Sequence, residues 1–174
     1  ATSTFYAALS DLRYQFKVLE IMPNQYIHIR QLEKIGITKT DIDDFINAVI
    51  KSGHGTYFTY NRFKRMGFKH KLQDLGLDDY FYGSILRWSK HFNSQTYRHI
   101  ILLSAKKKQV FLHELLREIL GERKVILRKD LLEELKIEYG IDYSPDIHKF
   151  LEHCIRGGME YNKVTGELVV PGLF

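Results

Sequence analysis

Apolar and polar positions along this chain follow one pattern three times. Tyr26-Ile27-His28-Ile29-Arg30-Gln31-Leu32-Glu33-Lys34-Ile35-Gly36 matches, class for class, Tyr57-Phe58-Thr59-Tyr60-Asn61-Arg62-Phe63-Lys64-Arg65-Met66-Gly67. Val125-Ile126-Leu127-Arg128-Lys129-Asp130-Leu131 is a looser third copy, with Leu131 at the apolar anchor held by Leu32 and Phe63. Each copy opens with strand-like residues and then reaches a glycine and an acid-led apolar helix, most clearly at 41–50 and 146–155. Repetition of this kind constrains the fold before any single residue does.

A short strand, a helix, a glycine-containing turn and a second amphipathic helix form the core of a helix-turn-helix with a strand in front. That strand needs a partner, which in a winged helix is a hairpin after the last helix. The middle copy supplies one at 91–104, with Asn93-Ser94-Gln95-Thr96 expected as the tip before a strand at 97–103. The last supplies another at 159–170 around the glycine-containing loop 162–166. The first copy has no room for a wing, so helix 40–51 is expected to close the first unit and open the second, with Thr40 as N-cap and Gly53 as stop. The other opening helices are expected at 5–21, ended by Met22-Pro23, and at roughly 106–120, ended by Gly121. Without a wing, the strand at 26–29 must be very short or covered. The fold class expected is mainly α with small β wings: tandem winged helix-turn-helix units over 1–52, 40–104 and 105–174.

With 174 residues and 44% hydrophobic content, the chain has the apolar payload for packed domains. Its longest apolar runs are strand-sized, so no membrane span is expected. A single cysteine builds no intrachain disulfide and no signal-peptide pattern is present, so the expected compartment is the cytoplasm.

Net charge is +5, and its placement changes the picture more than its size. Residues 1–59 carry 6 basic and 6 acidic side chains, residues 60–108 carry 11 and 3, and residues 109–174 carry 9 and 12. A cationic field focused on one module is the footprint of a polyanion site, set against the alternative of a solvated charged surface. The helix after Gly76 would be the reading helix, yet its N-terminal end carries Asp78-Asp79. Two carboxylates suit a helix dipole and repel phosphates, so they are read as a cap. The candidate nucleic-acid residues therefore lie on turns, helix flanks and wing: Arg62, Arg65, Lys69, His70, Lys71, Arg87, Lys90, Asn93, Gln95 and Arg98. Phe63, Tyr80, Phe81 and Trp88 have core spacing, leaving Tyr60, Tyr82 and Tyr97 as the aromatics expected at the surface.

No catalytic, metal or cofactor site is expected. Cys154 takes the core slot held by Val49 in the first copy, the eight histidines lack ligand spacing, and no phosphate-binding glycine motif occurs.

The string Tyr57-Phe58-Thr59, then Met66-Gly67-Phe68, then 72–82 (Leu-Gln-Asp-Leu-Gly-Leu-Asp-Asp-Tyr-Phe-Tyr) and Ile85-Leu86 resembles a tandem winged-helix module of Gram-positive bacterial and phage regulators, often found after a sigma-factor-like helix-turn-helix. The lead-in from Gly36-Ile37-Thr38 to Ile50 shares the likeness. The resemblance implies a bacterial or phage protein connected with transcription and a DNA-contacting domain upstream of Ala1. It carries over no catalytic residue. The function expected is non-catalytic binding of double-stranded DNA within a transcription-related regulator. The alternative is a protein-interaction module whose first and third units dock on a partner such as RNA polymerase.

Overall fold

The computed structural model describes residues 2–172, so Ala1, Leu173 and Phe174, at the ends of the outer expected units, lie outside the described residues. Helices dominate, joined by small antiparallel sheets. In order come α1 (Thr2–Tyr14), β1 (Val18–Met22), β2 (Gln25–His28), α2 (Ile29–Glu33) and α3 (Lys39–Lys51), then α4 (Tyr60–Arg65), a 3-10 turn (Lys71–Leu75), α5 (Asp79–Trp88), β3 (Asn93–Tyr97) and β4 (Ile100–Ser104). The remainder is α6 (Leu112–Leu120), β5 (Val125–Leu127), α7 (Arg128–Tyr139), α8 (Ile147–Arg156), β6 (Glu160–Asn162) and β7 (Glu167–Val169). Among the described residues no helix is long and apolar enough to cross a membrane.

The apolar side chains form two interiors. One gathers Leu19, Leu32, Phe45, Phe58, Phe63 and Phe81; the other gathers Leu112, Leu116, Leu131, Phe150, Cys154 and Leu168. β4 belongs to both. Its apolar run has no polar alternation, and successive strand residues point to opposite faces. Ile101 and Leu103 accordingly enter the first interior while Leu102 enters the second. Tyr57 and Phe58 divide the same way, and Phe58 exchanges backbone hydrogen bonds of 3.0 and 2.8 Å with Leu103. That contact is the counterpart of the β5–β7 pairing in the three-stranded sheet β5-β7-β6.

Four expectations are corrected. The opening helix stops at Tyr14 because Phe16 turns the chain through φ +54°, and residues 18–22 form β1, which pairs with β2 through a turn at Pro23 and Asn24 (φ +61°). The strand at 26–29 is thus covered by a partner that its own repeat pattern did not show. α6 begins at Leu112, not Lys106. Ser104 Oγ accepts from the Lys106 and Lys107 amides in the link before it, and three adjacent cations would oppose the positive end of a helix dipole. α3 is capped by Thr38, not Thr40, with the Thr38 amide donating to Asp41 Oδ2 at 2.9 Å. The tip of the first hairpin is Arg98-His99, since 93–97 pair in full with 100–104.

Polar contacts bolt the two interiors together. Thr59 Oγ1 donates to the Tyr139 carbonyl at 2.8 Å, and Arg62 pairs with Glu138. Gly140, at φ +77°, lies against Asn61, where an added Cβ would fall 2.7 Å from Asn61 Cγ. Asn61 cannot easily withdraw, because its Nδ2 donates to Asp79 at 2.8 Å. Gly140→Ala should therefore lower unfolding free energy by about 1–3 kcal/mol, read by urea denaturation. In an Asn61→Ala background the same change should cost less, leaving only the backbone share; equal costs would show that the clash contributes nothing.

Candidate nucleic-acid interface

The helix at the reading position of the middle copy has no face to offer. Tyr80 through Leu86 are all buried, because β1 lies along the side of α5 that would otherwise face a ligand. Ser84 Oγ donates to the Glu20 carbonyl and Tyr80 OH to the Glu20 carboxylate, each at 2.9 Å. Asp78 caps the helix by accepting from the Tyr80 amide at 2.8 Å, while Asp79 binds Asn61 and Lys64. Major-groove readout by α5 is sterically closed, for a stronger reason than two carboxylates.

Many of the candidate cations are engaged within the protein. Arg62 and Arg65 both reach Glu138, Arg65 at 3.3 Å, and Arg62 also lies over the Tyr139 ring. Lys71 pairs with Asp41, whose carboxyl this contact holds below the usual range. Arg87 donates to Ser94 and Thr96 across the hairpin, and Lys90 sits 5.0 Å over the Tyr14 ring. His70 caps the 3-10 turn, its Nδ1 accepting from the Leu72 amide at 3.0 Å. Lys69 is exposed in a cleft of about 590 Å³ whose walls mix Lys64 and Lys71 with Asp74 and Asp79. Asn93 and Gln95 face solvent along β3. Tyr60 and Tyr82, expected at the surface, are buried and stacked with centroids 4.7 Å apart, because the 3-10 turn folds over them. Gln73 Nε2 donates to Tyr60 OH, and Tyr82 OH donates to the Leu72 carbonyl.

Arg98 stands in different surroundings. With His99 it makes a two-residue hairpin tip at φ +50° and +64°, where glycine or asparagine is the usual choice. Such strain in two long side chains is a recognised mark of a functional position. The tip leans on the second half of the chain: Arg98 Nε donates to the Asp142 carbonyl at 3.2 Å and its guanidinium lies 5.8 Å over the Tyr143 ring. Between tip and α8 runs a groove of about 520 Å³, walled by Tyr97, Arg98, His99, Tyr143, Lys149 and His153 together with Thr96. No carboxylate lines it.

Electrostatics in this groove are cationic but not fully charged. His153 lies edge-on to Tyr97 and Tyr143, with the Tyr143 hydroxyl 3.3 Å from Nε2. Burial, then the Arg156 cation, hold its pKa below the ordinary 6.5, with Lys149 and His113 adding to the effect. Burial likewise pushes the Tyr143 hydroxyl up to about 12, so it remains a proton donor at neutral pH. His99, Lys149, His153 and Arg156 were not among the expected contacts. The signal was present as basic residues at 149, 153 and 156, one helical face of α8, but the acidic total of the last third concealed it.

Cys154 is buried beneath that face, its thiol pushed up to about 12 by burial, as a core residue would be. Among the described residues no group of three or more His, Cys, Asp or Glu is arranged to hold a metal ion.

Comparison with family models, with curated proteins and with solved structures found no match.

Both half-buried histidines, His70 and His153, imply a pH dependence of stability. Each has a folded pKa below 6.5, so the unfolded chain binds more protons between that lowered value and 6.5. Stability should be full above that window and decline as pH falls through it, measured by urea midpoints between about pH 8 and about pH 5. His70→Asn, which keeps an acceptor for the Leu72 amide but does not titrate, should give a shallower decline; an unchanged profile would exclude His70 as a contributor.

Proposed function

We propose that the protein is a non-catalytic module that holds double-stranded DNA by its phosphates, within a transcription-related regulator built from tandem winged-helix units. The observation that carries the reading is the groove between the β3–β4 tip and α8, where Arg98, His99, Lys149 and His153 converge and no carboxylate forms part of the walls, although Asp142 and Glu152 lie close enough to act on Arg98 and His153. Phosphate oxygens accept from such donors, and each neutralised phosphate releases condensed counterions. The winged-helix reading is supported by the element order strand, helix, helix, hairpin after α3 and again after α6, with Phe58 and β5 each meeting the following hairpin. Under this reading α8, not α5, is the helix with a free side, and the middle unit contributes its wing tip.

This assignment separates the cations of the groove from those paired with carboxylates. Arg98→Ala and Lys149→Ala should each weaken retention of duplex DNA at about 50 mM salt and lower the slope of log affinity against log salt by about one. Lys71→Ala, which removes a cation already paired with Asp41, should leave both quantities nearly unchanged. Fluorescence anisotropy with a labelled duplex reads all three. No binding by the unmodified chain would end the proposal, and a larger loss from Lys71→Ala would move the site to the cleft beside Lys69. Asp78→Ala should cost stability through the α5 cap, Asp79→Ala through the lost contacts with Asn61 and Lys64, and both should leave DNA affinity in place.

A further inference from the structure

α8 carries a second groove on its other flank, of about 520 Å³ and opposite character. Its floor is Leu151, Ile155, Met159 and Tyr161, from the helix and from the segment that enters β6. Ile155 is 59% exposed, and Val164, next to the groove residue Lys163, is 95% exposed. Apolar surface gathered in one place, rather than scattered, marks an interaction site, and no other segment of the described residues covers this one.

The rim decides what fits. His148 Nε2 lies 3.1 Å from Glu152 Oε1, a contact between two exposed side chains, while Glu160 and Lys163, at the two ends of β6 and its turn, take no ion-pair partner among the described residues. One free carboxylate and one free ammonium beside a shared apolar floor form a surface complementary to itself. Under a two-fold axis each unpaired charge can meet the opposite charge of the other copy, and the two floors close together. Two other faces fail this requirement. The groove beside Arg98 is cationic throughout, and the exposed side of α7 around Ile137 presents Asp130, Glu133, Glu134 and Glu138, so either would repel its own copy.

We propose that the apolar groove between α8 and β6 is the docking site of a second copy of this chain, arranged about a two-fold axis with Glu160 of each copy facing Lys163 of the other. Ile155 and Val164 form the centre of this contact, where buried apolar side chains carry most of the binding energy, and the charged pairs form its rim. The dimer leaves Lys149 and His153 free, because they lie on the flank of α8 that faces the hairpin tip.

The test uses the whole chain in light scattering after size exclusion and in sedimentation equilibrium, from about 1 to about 100 µM. The mass is expected to rise with concentration towards twice the 20.6 kDa of one chain. Ile155→Asp should weaken the dimer at least about tenfold, and Val164→Asp provides a second exposed site should Ile155→Asp disturb folding, which a thermal melt reports. Lys163→Glu and Glu160→Lys should each weaken association, and the two together should restore it, an outcome that a merely adhesive patch would not give. A chain that stays monomeric to about 100 µM leaves the groove to some other partner and overturns the proposal, as does a dimer of unchanged strength in both aspartate variants.

Discussion

Strand β4 is apolar on both sides, and that constraint organises the molecule. A strand in a one-sided sheet alternates, and its polar face can stand in water. Ile101, Leu102 and Leu103 have no such face, so each side of β4 must be covered by a separate interior. The first is built around α5, which is enclosed by β1, α3, α4 and β4; the second is closed by α6, α7, α8 and the β5-β7-β6 sheet. The halves therefore share a wall rather than a flexible linker. Hydrogen bonds from Thr59 to Tyr139 and from Arg98 to Asp142 fix the seam on either side of Gly140.

Much of this was legible from periodicity. The repeated register placed Leu32, Phe63 and Leu131 at buried positions, the second hairpin matched its glycine-containing turn, and Cys154 fell in the core. The errors have a common physical origin in tertiary contacts. Val18, Leu19 and Ile21 continue the apolar spacing of α1, and only their pairing with β2 makes them a strand. The tip at Arg98-His99 carries no turn signal, because its left-handed backbone is held by pairing along the whole of β3 and β4 rather than by residue preference. Tyr60 and Tyr82 look amphipathic in sequence and are buried because Gln73 and the Leu72 carbonyl satisfy their hydroxyls.

Charge was the least transferable signal. The excess of cations between residues 60 and 108 is real, but Arg62, Arg65, Lys64 and Lys71 meet Glu138, Asp79 and Asp41. Glu138 comes from the acidic last third, so part of the charge contrast along the chain is consumed in joining the two halves. Sequence totals record where charges lie along the chain but not which ones face each other across a seam. The carboxylate-free groove arises where the pairing stops, at a hairpin tip and a helix face more than forty residues apart in sequence.

That groove takes one wall from each half. Arg98 belongs to the hairpin whose strand lines both interiors, whereas Lys149 and His153 belong to the second alone. An anion lodged between them would be a brace across the joint, its grip set by how stiffly the halves are held. Neither half alone possesses the cleft, so loosening the seam at residues 139–142 would dissolve the pocket without touching a single groove side chain. The same coupling runs in reverse: a ligand that fills the cleft adds its own resistance to the parting of the two halves.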